Sequence, residues 1–293
     1  MTTVQELYIE GHKLVALRLD ASTSGTPVIL FHGITASVYF WTPDLVAPFK
    51  KLGPCYALSL PGHYPASFPE NFSQKALTAE TIARILASAI HQLVGEQPVI
   101  LVGHSTGGFS VLDIAIYAPD MPRSVISISG FTHGRWTGFL GIYQWLARKG
   151  PAGQALFKAI FRLGHMRAVY RGVSRFYAAD ARNLNAYPYF DTAIEQSHPY
   201  FRKLSFDAMV QYFTVMPDID ITAQLNRLSV PTLVLTGDED PIVPPAQSRL
   251  IARQVASADL GIVKKAGHFP FYENPTGYQT ALESWLEQHE QKG

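Results

Sequence analysis

The sequence predicts an α/β fold, in which a mostly parallel sheet is flanked by helices and a helical cap is inserted between two strands. Residues 28–31 and 99–102 are fully apolar runs without polar alternation, which is typical of strands buried on both faces. Strand-like runs alternate with amphipathic runs of helical length, and this alternation indicates parallel pairing. One long stretch, residues 131–215, interrupts the pattern.

The first elements are predicted as an edge hairpin, two buried strands and two helices. The hairpin is expected around Glu10-Gly11, because strand-like runs lie on both sides of this turn pair. Thr78 is the predicted N-cap of the second helix. The elements predicted up to residue 93 are hairpin strands at 6–9 and 12–19, buried strands at 28–31 and 56–60, and helices at 41–52 and 78–93.

The remaining core elements continue the same alternation. They are predicted as strands at 99–102, 124–129, 232–236 and 259–264 and a closing helix at 274–288. In open parallel sheets, functional sites lie beyond the carboxyl ends of the strands. His32, Ser105, the loop of residues 238–240 and His268 all follow predicted strands, so we expect them to lie together at one edge of the sheet.

Residues 131–215 contain no convincing core strand and are rich in Phe, Tyr, Trp and Arg. We predict a helical lid there, inserted between core segments 1–130 and 216–293. Two apolar runs at helical spacing are predicted either to line an acyl pocket or to pack on the core. The runs consist of Trp136, Phe139, Leu140, Tyr143, Leu146 and Ala147, and then of Ala155, Leu156, Ala159, Ile160 and Leu163.

The predicted lid is strongly basic, although the whole chain has a net charge of only +1. Between residues 131 and 203, eleven Lys or Arg residues stand against Asp180, Asp191 and Glu195. Three interpretations stay open. The basic face is a solvated surface, it makes peripheral contact with an anionic membrane, or it attracts a substrate that carries a carboxylate or phosphate.

Composition excludes several classes of protein. The chain has 293 residues, of which 47% are hydrophobic, and this content excludes a disordered protein. Cys55 is the only cysteine, so an internal disulfide is excluded. The net charge gives no sign of nucleic-acid binding. Residues 1–10 show no signal peptide and no apolar run approaches the roughly 18 residues that span a bilayer, so we expect a soluble, cytoplasmic protein.

A candidate nucleophile lies between the strand at 99–102 and the helical pattern that follows it. Residues 103–107, GHSTG, fit the motif G-x-S-x-G, and a strand before and a helix after are the context that this motif requires. A sharp turn there brings backbone segments too close for a Cβ, hence the two glycines. We expect an accessible Ser105 hydroxyl and a Thr106 amide that points at a developing oxyanion.

A serine hydroxyl is a weak nucleophile and needs a base that is itself oriented by an acid. His268, in the loop after the last predicted strand, is the candidate base. Asp238 and Asp240, in the loop after the strand at 232–236, are both candidate acids. The chain order of serine, aspartate and histidine is the one found in α/β-hydrolases.

Between about residues 27 and 275, these motifs together resemble the α/β-hydrolase superfamily. His32-Gly33 resembles the oxyanion-loop motif of that family, which implies the Ile34 amide as a second oxyanion donor beside Thr106. Residues 235–244 resemble the acid motif, which favours Asp240 over Asp238. The residues around His268 resemble the terminal histidine motif.

The remaining histidines are predicted to be structural. His104 is assigned to packing and His32 to bracing the oxyanion loop. The other histidines show no ligand spacing with Asp, Glu or Cys, so neither a metal nor a cofactor is expected. Tyr64 stands where the family commonly has glycine, which is a departure at a structural turn.

The resemblance implies a serine hydrolase. Serine at the turn, where related dehalogenases and epoxide hydrolases carry aspartate, argues against those two chemistries. We predict cleavage of a carboxylic ester of hydrophobic character through an acyl-enzyme, with a small-molecule acyl substrate. A C–C bond hydrolase, a lactonase or thioesterase and a perhydrolase-like enzyme stay open on the same triad. A small-molecule receptor with a residual triad is the alternative from another class.

Overall fold

One eight-stranded sheet forms the centre of the protein, whose computed structural model describes residues 3–290. Its strands are Val4–Ile9 (β1), His12–Arg18 (β2), Val28–Phe31 (β3), Cys55–Leu58 (β4), Val99–His104 (β5), Pro122–Ile128 (β6), Thr232–Gly237 (β7) and Ala258–Val263 (β8). Their order in the sheet is β1-β2-β4-β3-β5-β6-β7-β8. The β1–β2 and β2–β4 pairs are antiparallel, and all other neighbours are parallel. The predicted edge hairpin and mostly parallel sheet are confirmed.

Helices cover both faces of this sheet, and a further group of helices lies between β6 and β7 in the chain. In chain order they are Pro43–Val46 (α1), Ala79–Val94 (α2), Thr106–Tyr117 (α3), Gly138–Ala147 (α4), Gly150–Leu163 (α5), Arg167–Val173 (α6), Ala181–Ala186 (α7), Phe190–Phe201 (α8), Phe206–Val215 (α9), Pro245–Gln254 (α10), Pro270–Glu273 (α11) and Pro275–His289 (α12). Short 3-10 segments lie at Val38–Phe40, Ala47–Phe49, Gln74–Ala76, Ser174–Phe176, Met216–Asp218 and Thr222–Arg227.

The buried strands explain why the apolar runs do not alternate with polar residues. In β3, Ile29 and Phe31 join the hydrophobic core that contains residues of α2 and α3. Val28 and Leu30 join a second core, on the other face, which contains residues of α12. Because both faces are covered by helices, each residue of the strand must be apolar.

The helix predicted at residues 41–52 is wrong in length. The structure has the short helix α1, flanked by the 3-10 turns Val38–Phe40 and Ala47–Phe49. Pro48 explains the interruption, because it has no N–H to donate to the carbonyl four residues earlier. The second helix agrees with the prediction, and the Thr78 hydroxyl caps it by accepting a hydrogen bond from Thr81 N at 3.2 Å.

Helices α4 to α9 all lie between β6 and β7 in the chain, within the predicted segment 131–215. An aromatic cluster joins them. Phe157 of α5 is fully buried, with ring centroids 5.0 Å from Tyr143 of α4 and 5.2 Å from Phe213 of α9. We refer to α4–α9 as the inserted helices.

The inward face of α5 agrees only in part with the predicted one, since Ile160 and Leu163 of the predicted run line a cavity. The predicted run included Leu156, but this side chain is 50% exposed, while its neighbour Phe157 is buried. Gly153, Phe157 and Phe161 form the buried side of this helix. Residues 155–163 carry apolar side chains on more than one side, so periodicity alone selected the wrong side for Leu156.

Within residues 3–290, no helix is both long enough and apolar enough to span a membrane. Cys55 is fully buried in β4, where burial raises the pKa of its thiol to about 12.

Candidate active site

Ser105 occupies the sharp turn between β5 and α3. Its backbone has φ 56° and ψ −115°, which is an unfavourable conformation for a residue with a Cβ. Neighbouring backbone segments pass very close. A Cβ on Gly107 would lie 2.3 Å from the carbonyl oxygen of Phe31, and one on Gly103 would lie 2.1 Å from that of Gly107. Only glycine, which has no Cβ, therefore fits at positions 103 and 107.

Ser105, His268 and Asp240 form one chain of hydrogen bonds. His268 Nε2 lies 2.9 Å from Ser105 Oγ, and His268 Nδ1 lies 2.7 Å from Asp240 Oδ2. The His268 and Asp240 side chains are almost completely buried. In the tautomer with the proton on Nδ1, the imidazole donates to the carboxylate and leaves Nε2 free to accept the serine proton.

Asp240 is the acid that contacts His268, and Asp238 is not. The second oxygen of Asp240 accepts hydrogen bonds from the amides of Ile242 and Val243, at 2.8 and 2.9 Å, which fix the orientation of the carboxylate. Asp238 instead lies 3.5 Å from the ammonium group of Lys264. The structure therefore brings Asp240 to His268, and Asp240 is the residue that the acid motif favoured over Asp238.

The loop after β3 runs directly beside Ser105. A Cβ on Gly33 would lie 3.1 Å from Ser105 Cβ. His32 ties this loop to the core, since its Nδ1–H donates to Gly33 O at 2.8 Å and its Nε2 accepts from Leu60 N at 3.2 Å. Burial, and then the neighbouring His63, lower the pKa of His32 to about 3, so the ring stays neutral and keeps this pattern of donor and acceptor.

The backbone amides of Ile34 and Thr106 lie beside Ser105. Ile34 follows the Gly33 loop and lines the same cavity as Ser105, and Thr106 is the first residue of α3. Among the hydrogen bonds within residues 3–290, none has either amide as its donor. An N–H group at a helix N-terminus carries a partial positive charge, which suits a developing oxyanion.

His104 holds the loop that carries His268. Its Nε2–H donates to the carbonyl oxygen of His268 at 2.8 Å, and its ring stacks on Phe40 with centroids 5.3 Å apart. Burial, and then the neighbouring His268, lower the pKa of His104 well below its usual range. A neutral imidazole at this position is a hydrogen-bond donor and a packing group.

Glu273 is a site residue for which the sequence suggested no individual role. Its buried carboxylate accepts hydrogen bonds from Gly267 N at 2.9 Å and from Ala179 N at 2.7 Å. His268 N donates to Tyr177 O at 2.8 Å, beside this carboxylate. Two of these three hydrogen bonds, those of Tyr177 O and Ala179 N, connect the loop that carries His268 and the adjacent Glu273 to the segment between α6 and α7. The only sequence signal was the position of Glu273 five residues after His268 in the terminal motif.

A cavity of about 360 Å³ separates Ser105 from the inserted helices. Ser105, His268 and Ile34 lie on its core side. Its opposite wall consists mainly of aromatic and aliphatic side chains from α4, α5, α6 and α8, including Phe139, Leu140, Tyr143, Phe161, Val169, Tyr170, Phe190, Ile194 and Phe201. None of the described residues on its wall is Asp, Glu, Lys or Arg. The eleven basic residues of the segment therefore do not line it.

Within residues 3–290, no group of three or more His, Cys, Asp and Glu side chains is arranged to hold a metal ion. The chemistry of the site is derived below from the side chains and amides already described.

The fold and this arrangement of side chains correspond to a known class of enzymes. The sequence profile of the alpha/beta hydrolase fold family matches residues 26–275. The chain belongs to that family, and it is an enzyme of that family.

Several proteins are similar in sequence to most of this chain. A candidate carbamate hydrolase, RutD of Pseudomonas syringae pv. syringae, is 23% identical over 88% of this chain and 93% of its own. A pimeloyl-[acyl-carrier protein] methyl ester esterase of Neisseria meningitidis is 25% identical over 89% of this chain and 93% of its own. The crystal structure of the enol-lactonase from Burkholderia xenovorans LB400 superposes with a TM-score of 0.75 at 17% identity, covering 97% of this chain and all of that one.

Proposed function

We propose that this chain is a serine hydrolase that cleaves a carboxylic ester of hydrophobic character through Ser105, His268 and Asp240. The observation that carries the proposal is the continuous hydrogen-bond chain from Asp240 to the Ser105 hydroxyl, which ends at the wall of an apolar cavity. A nucleophile, a base and an orienting acid within hydrogen-bond reach are the requirements for acyl transfer by a serine.

The chemistry follows from these positions. Ser105 Oγ attacks the acyl carbon while His268 Nε2 takes the hydroxyl proton, and the Asp240 carboxylate stabilises the imidazolium. The Ile34 and Thr106 amides donate hydrogen bonds to the oxyanion of the tetrahedral intermediate. His268 then gives its proton to the leaving alcohol. It next activates a water molecule, which hydrolyses the acyl-enzyme and restores Ser105.

The cavity supports the hydrophobic character of the substrate. Among the residues that the structure describes, its wall offers aromatic and aliphatic surface and no Lys or Arg to pair with an anionic group. The Tyr170 hydroxyl donates to Ser197 Oγ at 3.1 Å, and that hydroxyl donates to Ala193 O at 2.7 Å, so these wall groups already have partners. We infer that the inserted helices act as a lid whose inner wall holds the acyl chain.

Hydrolysis of p-nitrophenyl esters from acetyl to palmitoyl tests this function. We expect a maximum at medium or long acyl chains and a loss of about ten-thousandfold or more in kcat for Ser105→Ala. Ser110→Ala is the matched control. Its buried hydroxyl lies one turn further along α3, donates to Thr106 O and does not line the cavity, so this variant should keep its activity.

Other outcomes distinguish the alternatives. Turnover that survives Ser105→Ala contradicts the assignment of the nucleophile. The names of the relatives make p-nitrophenyl carbamates and lactones the next substrates to compare with the esters. Tight binding of a small molecule, with no turnover that depends on Ser105 on any of these compounds, would favour a receptor instead.

A further inference from the structure

Exposed apolar side chains are concentrated on one part of the inserted helices. Of the twelve large apolar side chains that are exposed among residues 3–290, six lie between residues 142 and 166. Isolated apolar residues at a surface are ordinary, whereas a cluster of them marks a contact site. We call this cluster the outer face; it consists of Ile142, Trp145, Leu156, Ile160, Leu163 and Met166.

Five of the six side chains of the outer face lie on α4 and α5, two helices that contact each other. Ile142 and Trp145 are three residues apart on α4, and Leu156, Ile160 and Leu163 follow a spacing of four and three on α5. Residues at these spacings share one side of a helix. The opposite side of α5 is packed inside the protein, because Phe157 and Phe161 are buried against the aromatic cluster.

The segment that carries the outer face contains basic side chains but no acidic ones. Residues 131–179 contain eight Lys or Arg residues and no Asp or Glu. Four of the eight pair with acids from later parts of the chain; these pairs are Arg148–Asp218, Lys158–Asp207, Arg167–Glu195 and Arg171–Asp191. Arg135 donates to the carbonyl oxygen of Pro217 at 3.3 Å. Within residues 3–290, the remaining three, Lys149, Arg162 and Arg175, have no carboxylate at ion-pairing distance.

Two of these free cations stand beside exposed aromatic rings. The Lys149 ammonium lies 5.1 Å from the Trp145 ring, and the Arg175 guanidinium lies 4.9 Å from the ring of Phe176, which is 49% exposed. Tryptophan with adjacent basic residues is typical of helices that lie at the boundary between lipid headgroups and acyl chains.

The outer face adjoins the opening of the cavity. Ile160 and Leu163 line the cavity that contains Ser105, yet they are 38% and 50% exposed. A side chain that lines the cavity and is also exposed to solvent lies at the rim of the cavity opening. A surface on which the outer face rested would therefore lie next to the entrance of the site.

We propose that the outer face docks on the anionic surface of a lipid bilayer, with Trp145 and Ile142 inserted among the headgroups and the free cations on anionic lipid. Charge complementarity selects this occupant. A second copy of the chain in a symmetric contact would bring the same basic surface against itself, which is unfavourable. The proposal stands on the surface alone and does not depend on the substrate of the enzyme.

Flotation of the full chain with vesicles tests the apolar part of the proposal. We expect binding at low salt to vesicles of phosphatidylcholine with about a quarter phosphatidylglycerol, and little binding to phosphatidylcholine alone. The double variant Ile142→Ser, Trp145→Ser should lose this binding. The control is Val4→Ser, Tyr8→Ser on the edge strand β1, where both side chains are similarly exposed, at 55% and 64%. It should bind like the unmodified chain.

A charge-matched pair of variants tests the electrostatic part. The triple variant Lys149→Gln, Arg162→Gln, Arg175→Gln should partition about a hundredfold less at low salt, about fivefold for each cation removed. The control changes the net charge equally at exposed positions outside the inserted helices, and should lose far less; it consists of Lys51→Gln, Lys75→Gln and Arg253→Gln. Far-UV circular dichroism verifies that each variant is folded.

Three results would overturn the proposal. The first is no flotation of the unmodified chain with anionic vesicles at low salt. The second is an equal loss of binding in a variant and its matched control. The third is self-association in light scattering that Ile142→Ser, Trp145→Ser abolishes while vesicle binding is absent, which would assign the outer face to a second copy of the chain.

Discussion

At the scale of single residues, the two acidic side chains of the β7 loop differ in what they contact. Asp240 Oδ2 accepts from His268 at 2.7 Å, whereas Asp238 lies beside Lys264. We expect Asp240→Asn to lower kcat for ester hydrolysis by about ten-thousandfold, because the amide favours the wrong imidazole tautomer. Asp238→Asn is an isosteric control in the same loop and should stay within about twofold. Equal losses would contradict Asp240 as the triad acid.

Glu273 is expected to act through His268 rather than on the substrate. Its carboxylate holds the amides of Gly267 and Ala179, which flank the His268 loop. In Glu273→Gln, one accepting oxygen is replaced by an amide group that faces an N–H donor, so the loop loses a hydrogen bond. We expect kcat to fall by about tenfold with KM nearly unchanged. An unchanged kcat would show that the loop is held without this contact.

The same substitution should change how stability depends on pH. Burial raises the pKa of Glu273 above its usual 4.5, although four backbone hydrogen bonds oppose the shift. The folded protein then holds a proton that the unfolded chain has released, so stability falls as the pH rises from about the unfolded value through the raised pKa. Urea unfolding midpoints of Glu273→Gln should lack this part of the decline. Parallel curves for both proteins would contradict the raised pKa.

At the scale of elements, α5 offers two adjacent side chains in opposite environments. Phe157 is fully buried against Tyr143, Phe161 and Phe213, and Leu156 is half-exposed. We expect Phe157→Ala to lower the free energy of unfolding by about 3–5 kcal/mol, because it leaves a cavity among rings. Leu156→Ala should change it by less than about 0.5 kcal/mol. Urea denaturation measures both, and similar losses would contradict the orientation of α5.

The same helix shows where prediction from sequence stops. Strands such as β3 and β5 were predictable because both of their faces are covered, so that each residue had to be apolar. The GHSTG turn was predictable because the close approach of the backbone demands glycine at fixed positions. In α5, apolar residues lie on several sides, and the partners Tyr143 and Phe213 come from α4 and α9. The periodicity of α5 alone does not indicate which other helices will pack against it.

At the scale of the whole molecule, the core and the inserted helices share the site. The connection between α6 and α7 contributes Tyr177 O, which accepts from His268 N, and the inserted helices form the outer wall of the cavity. They also rest on the loop after β3, where Tyr200 stacks on Tyr39 with centroids 3.6 Å apart. A shift of the inserted helices would therefore change the shape of the cavity and the position of His268 together. The sequence motifs around residues 32, 105, 240 and 268 all lie in the core, so they did not predict these contacts with the inserted helices.

A substitution on the far wall of the cavity should therefore change which ester is preferred without disabling the triad. Ala193 of α8 lines the cavity and leaves space for a larger side chain. We expect Ala193→Trp to lower kcat/KM for octanoyl esters by at least about tenfold, while acetyl ester hydrolysis changes by less than about twofold.

The control for this experiment is Ala186→Trp, at the exposed end of α7 and away from the cavity wall, which should leave the acyl-chain preference unchanged. The ratio of octanoyl to acetyl rates is the useful measurement, because a general loss of folded protein lowers both rates equally and leaves the ratio intact. A ratio that does not change in Ala193→Trp would mean that the acyl chain does not enter the cavity. The inner wall of the inserted helices would then cover the site without selecting the substrate.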